Sequence, residues 1–244
     1  LIVGAGGFAS IQAAINAASD GDTILIAAGT YDGNFTVNKA LTFLGANAGE
    51  AGTGDRGEET LITWSSNYGI NITTTGAVTF DGLKFAGEKV LTTGGNADSN
   101  VTFTNSVFDL TTGGNGSNNF FLSRPETFTF TNNLLDATGY TGALFQPVGD
   151  PNDPSHTTVT FTGNTFNGHA GTYVGGEDND VPVIINLSNV NGIVGDNEFN
   201  GVDIGVIVAN GTGPLEISGN TFDGLHREGE TSGGGSAAGV VFYE

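Results

Sequence analysis

One ten-residue phrase returns six times along this chain, and a recurring phrase constrains the fold more tightly than any single motif. It reads VTFDGLKFAG from Val78, VTFTNSVFDL from Val101, FTFTNNLLDA from Phe128 and VTFTGNTFNG from Val159. It continues as GIVGDNEFNG from Gly192 and LEISGNTFDG from Leu215, with successive starts 23, 27, 31, 33 and 23 residues apart. In register, the third position holds Phe80, Phe103, Phe130, Phe161, Val194 and Ile217, and the eighth Phe85, Phe108, Leu135, Phe166, Phe199 and Phe222. Large apolar side chains in two fixed columns are what a stacked core requires, each resting on its equivalent one turn away. The sixth position becomes Asn at Asn133, Asn164, Asn197 and Asn220. Asn at a corner tolerates tight backbone, and its amide can bond along the stack.

Further strands are expected at Asn119–Leu122, Ala143–Phe145, Thr172–Val174, Gly205–Val208 and Gly239–Phe242, with a third type at Val183–Leu187. Two or three short strands per turn of 23 to 33 residues describe an all-β chain wound as a parallel β-solenoid. Propeller blades need about 40 residues, and leucine-rich repeats need a Leu/Asn pattern that is missing. Residues 1–244 are expected to form a single such domain with a helical cap over about 10–20. Ser10 is placed to cap that helix, with Ile11, Ala14, Ile15 and Ala18 along one face. With no Met anywhere and a last stretch, Val240–Glu244, that reads as a strand, the chain is expected to be an excerpt of a longer protein.

Charge narrows the partners. Twenty-six acids against 6 bases give a net charge of −20, which repels phosphate backbones and anionic bilayers and attracts hard cations such as calcium. Nucleic acid is therefore not expected as a partner, and membrane insertion is not expected because no stretch approaches the roughly 18 apolar residues that a membrane helix needs. With no Cys there is neither a disulfide nor a thiolate metal site, and the three His are scattered.

Ser10 to Gly49, SIQAAINAASDGDTILIAAGTYDGNFTVNKALTFLGANAG, resembles the opening of the pectin-lyase-like right-handed parallel β-helix superfamily, in which a cap helix leads into strands and then G-T-Y and L-G elements. Ala51 to Ile62 is similar to β-helix segments of large bacterial secreted and cell-surface proteins. The resemblance implies the fold, and its members range from polysaccharide lyases, hydrolases, esterases and epimerases to tailspikes, adhesins and surface-layer modules. A lyase of this group needs a base and a group that neutralises a uronate carboxylate. Arg124, directly after a strand, is the candidate here; Arg56 reads as a local ion pair, and Lys84 and Lys89 as surface charges. The epimerase Asp-Pro-His-Glu element is not present, the nearest text being Asp150-Pro151-Asn152-Asp153-Pro154-Ser155-His156. The hydrolase Arg-x-Lys and the esterase elements are missing too.

If Ala143–Phe145 and Thr172–Val174 stack as equivalent strands, the loops that follow them, 149–156 and 175–180, emerge side by side. Asp150, Asp153, Glu177, Asp178 and Asp180, with His156, then share an edge that is either solvated or bridged by calcium. A paired-carboxylate site is a third option. Trp64, Tyr68, Tyr140 and Tyr173 are candidate aromatic platforms for carbohydrate. The expectation is an extracellular or cell-surface structural or adhesive module, binding polysaccharide or neighbouring subunits, with self-assembly as one mode. The alternative is a lyase or uronate epimerase acting on an acidic polysaccharide.

Overall fold

The computed structural model describes residues 1–64, 69–87, 91–93, 98–110, 120–123, 125–137, 143–150, 152–153, 155–168, 183–202, 204–209, 213–225 and 238–243. Among these, three parallel sheets of nine, eight and eight strands run the length of the chain. Each turn contributes one strand to sheet A, then one to B, then one to C, as in Ala77–Asp81, Lys84–Ala86 and Leu91–Thr93. The chain is thus a parallel β-helix, with every strand inside a sheet hydrogen-bonded to its equivalents one turn before and after.

The two apolar columns fall into register as the repeat requires: Phe80↔Phe103↔Phe130↔Phe161↔Val194↔Ile217 in sheet A and Phe85↔Phe108↔Leu135↔Phe166↔Phe199↔Phe222 in sheet B. Ring centroids are 4.8 Å apart for Phe80–Phe103 and 4.9 Å for Phe166–Phe199, the separation of neighbouring strands. Between Phe103 and Phe130 the spacing opens to 6.4 Å, because this turn alone carries a second Phe in the phrase's first position. Phe128 is fully buried there, and Leu135 replaces Phe in the eighth column of the same turn. Volume gained on sheet A is offset on sheet B, which keeps the core filled without overpacking.

The corner from A to B is two residues long, and its first residue, the fifth of the phrase, is left-handed: Gly82, Asn105, Asn132, Gly163, Asp196 and Gly219 have φ between 51° and 68°. Only Gly, Asn and Asp occupy it, as steric cost dictates. Tolerance of tight backbone therefore belongs to the fifth position, while the sixth supplies the ladder. Asn133 Oδ1 accepts from Ser106 N–H (2.8 Å), Asn164 Oδ1 from Asn133 N–H (2.9 Å) and Asn197 Oδ1 from Asn164 N–H (3.1 Å). The Nδ2 groups donate to Phe103 O (3.0 Å), Phe130 O (2.7 Å) and Phe161 O (2.8 Å) in the preceding turns. Each amide thus satisfies two backbone groups that the sharp corner leaves without sheet partners.

At the amino-terminal end, the helix Ile11–Ala17 covers the core with Ile11, Ala14 and Ile15, and Ser10 Oγ accepts from Ala13 N–H (3.2 Å). Gln12 imitates a strand neighbour, its Oε1 accepting from Thr36 N–H (2.8 Å) at the edge of Thr36–Val37, the first strand of sheet C. Lys39 Nζ donates to Ile15 O (2.8 Å) and Ala18 O (2.7 Å), closing the helix's carboxyl end. The helix is short, and no helix among the described residues is long and apolar enough to cross a membrane.

Asn164→Ala should cost about 2–4 kcal/mol in chemical denaturation, since it strands the buried Asn133 N–H and Phe130 O. Asn220→Ala, at a partly exposed corner, should cost about 1 kcal/mol or less. Equal losses at the two sites would show that the amides do not act through burial.

Candidate functional site

The expected acidic edge was built on two strands being equivalent. Register gives Ala143–Val148 a different neighbour: it pairs with Val183–Ser188, Ala143 opposite Val183 and Phe145 opposite Ile185. The loop after Ala143–Val148 therefore leaves sheet C toward sheet A, whereas residues 168–182 connect sheet B to the start of Val183–Ser188. The strand one turn after Ala143–Val148 is thus Val183–Ser188, and Thr172–Val174 lies outside the described residues together with the 175–180 segment. Glu177, Asp178 and Asp180 lie outside the described residues, as do Tyr68, Arg124, Tyr140 and Tyr173.

Asp150 and Asp153 are described, and each serves its own loop. Asp150 Oδ1 accepts from Asn152 N–H (2.9 Å) and Asn152 Nδ2 (3.2 Å), and Asp153 Oδ1 from Ser155 N–H (3.2 Å) and its hydroxyl. These are Asx turns, in which the carboxylate stands in for a backbone acceptor. The loop is tied back along the helix axis by His156 Nε2, 2.9 Å from Asp98 Oδ1 two turns earlier. Among the described residues no three Asp, Glu or His side chains converge where an ion could sit.

Trp64 does not present a platform to solvent. It is 8% exposed within the hydrophobic core, between Gly33 and Gly87, where a Cβ at either glycine would strike the indole. An aromatic beside a strand end reads equally well as platform or packing until its neighbours are known, and two glycines made the space.

Arg56 has more than a local role. Its Nε and Nη2 form a two-point contact with Glu59 (2.8 and 3.0 Å), and Nη1 donates to Glu50 O (3.0 Å) and Asn105 O (2.7 Å). Residues 45–59 form a strap laid along the A–B corners of the following turns. Asn47 N–H donates to Gly82 O (3.3 Å), Arg56 to Asn105 O and Gly52 N–H to Asn132 O (2.8 Å). Three successive corner carbonyls thus find donors in one loop. At Gly52 the approach is so close that a Cβ would meet Leu134 N and Ser106 O.

A surface that the repeat's apolar columns concealed lies on the outside of sheet A. Between the buried positions, Asn100–Thr104, Thr127–Thr131 and Thr158–Thr162 turn uncharged side chains outward, all partly exposed. The signal in the sequence is the alternation itself, Thr-Phe-Thr-Phe-Thr at 127–131, whose apolar half fills the core and whose polar half forms this face. The outer face of sheet B carries instead Lys84, Asp109, Asp136, Glu198 and Asp223, with Lys84 Nζ 3.5 Å from Asp109.

Comparison with protein-family models, with curated proteins and with solved structures gave no match. The fold therefore stands on its own register, as a parallel β-helix.

Arg56→Lys should destabilise the chain by about 1–3 kcal/mol and open residues 45–59 to limited proteolysis, because one ammonium cannot replace three divergent donors. Unchanged cleavage kinetics would show that the strap is held by its backbone bonds alone.

Proposed function

We propose that this chain is a structural or adhesive module of an extracellular or cell-surface protein, a rigid acidic rod of the pectin-lyase-like superfamily. The observation that carries the reading is the continuity of the stack: the same columns, corners and side-chain ladder persist from turn to turn, so that the chain resists bending. Its cap helix and the strands that follow have the order that the superfamily's opening segment implies. A surface with 26 acids and 6 bases suits a polymer-rich exterior, and it opposes capture of a polyanionic substrate unless cations intervene. Polysaccharide or neighbouring subunits are the partners, and calcium acts, in this reading, through the acidic loops that include Asp150 and Asp153.

The test is co-sedimentation with insoluble polysaccharides, run beside an ultraviolet assay for unsaturated uronate products. Retention without product is the expected result. Product formation that Arg124→Ala abolishes would replace this reading with a lyase. The melting temperature should also rise between low and physiological salt, as screening relieves the self-repulsion of 20 net negative charges. A further rise with calcium at matched ionic strength, lost in the Asp150→Ala/Asp178→Ala double variant, is expected if those loops hold the ion.

A further inference from the structure

The outer face of sheet A carries a lattice. Its central column is Thr23, Thr42, Thr79, Thr102, Thr129 and Thr160, one residue on each of six consecutive strands and in direct register. Among the described residues none of these six hydroxyls has a hydrogen-bond partner within the chain. Columns on either side flank it over three strands, and there most hydroxyls bond within the chain: Thr127 Oγ1 donates to Asn100 Oδ1 (2.8 Å), Thr131 Oγ1 to Thr104 Oγ1 (3.2 Å) and Thr158 Oγ1 to Asn191 Oδ1 (2.7 Å). Parallel pairing sets the repeat at about 4.8 Å across the strands, and alternation sets it at about 6.6 Å along them.

A ligand matched in both directions must itself be periodic in two dimensions, which a single flexible polymer or a small molecule is not. A neutral ligand suits this face best, for the three-strand block itself bears no charge, and the carboxylates that border it, Asp81 opposite Thr104 and Glu126 on Asn100 Nδ2 (2.9 Å), disfavour an anion. Small-molecule sites are concave and orient their ligand by a few convergent groups, unlike this open sheet face. Sugar rings favour aromatic platforms, and these columns contain none. What the central column presents is hydroxyls free to give and accept hydrogen bonds, each beside a methyl group, and the flanking columns add polar side chains about 6.6 Å away on three strands, a two-way spacing close to that of the oxygen rows of hexagonal ice. The geometry points to ice as the ligand of this face: the free central hydroxyls take the place of lattice waters, and the methyl groups hold the intervening water in ordered cages.

The experiment is partition of the full chain between a slowly growing ice front and the remaining solution, with thermal hysteresis measured in parallel. The native chain should be enriched in the ice. Thr129→Lys, which places a charge in the lattice, should cut the enrichment by about tenfold, equivalent to about 1.4 kcal/mol of affinity. Thr129→Val keeps the side-chain shape and should lower it by less. Thr165→Lys, outward on sheet B, should leave it unchanged. Circular-dichroism melts of each variant separate loss of binding from loss of fold. Rejection of the native chain from ice to the same degree as an unrelated acidic protein would overturn the proposal, as would equal losses in Thr129→Lys and Thr165→Lys. Retention on crystalline cellulose that Thr129→Lys removes, with no enrichment in ice, would overturn it as well and give the face to a polysaccharide.

Discussion

Parallel hydrogen bonding between equivalent strands is the constraint on which everything else in this protein depends. It fixes successive turns at one spacing and in one register, so a side chain at a given position meets its own kind above and below. Phenylalanines then stack at the separation of the strands, as Phe199 and Phe222 do at 4.8 Å. The same rule makes any local irregularity visible, and it explains why Phe128 and Leu135 have to be read as a pair. Loops are exempt from it, and most of the variation in turn length falls in the connections.

The corners show how register and local conformation share the work. A two-residue corner needs one left-handed residue, and it leaves backbone groups that no strand can reach. The Gly, Asn or Asp of the fifth position meets the first need; the Asn of the sixth meets the second. In the early turns, Leu83 and Ser106 stand where Asn stands later, and there the strap of residues 45–59 supplies donors to the corners from outside. Ser106 still keeps part of the ladder's function, its hydroxyl accepting from Leu83 N–H (3.2 Å). Ladder and strap serve different groups of the same corners, the strap the fifth-position carbonyls and the ladder the sixth-position N–H and third-position carbonyl groups, and they meet at Asn132 and Asn133.

The fold was legible in the sequence because it is written in columns. Both apolar columns, the Asn ladder and the Ser10-capped helix follow from spacing and residue type alone. The sites were far less legible, for reasons that particular residues make clear. Arg56 makes its decisive contact with Asn105, 49 residues away, and nothing in its neighbourhood announces a carbonyl at that distance. Trp64 became core because Gly33 and Gly87 lie in the adjoining turns. The pairing of Ala143–Val148 with Val183–Ser188 depends on which of two apolar runs the chain selects, and alternation of residues does not decide that. Repetition tells where the strands go, while the loops between them answer to single contacts.

The Asn ladder has a direction. Every amide reaches toward the turn before it, so Asn164 completes the corner of Asn133, and Asn197 that of Asn164. A corner is consequently unfinished until the next turn arrives. For a chain made from its amino terminus, this gives assembly the character of a ratchet: each new coil locks the one already laid down and waits in turn for its successor. The capped end, with Ile15 and Gln12 holding the first strands, is then the natural seed from which the winding proceeds.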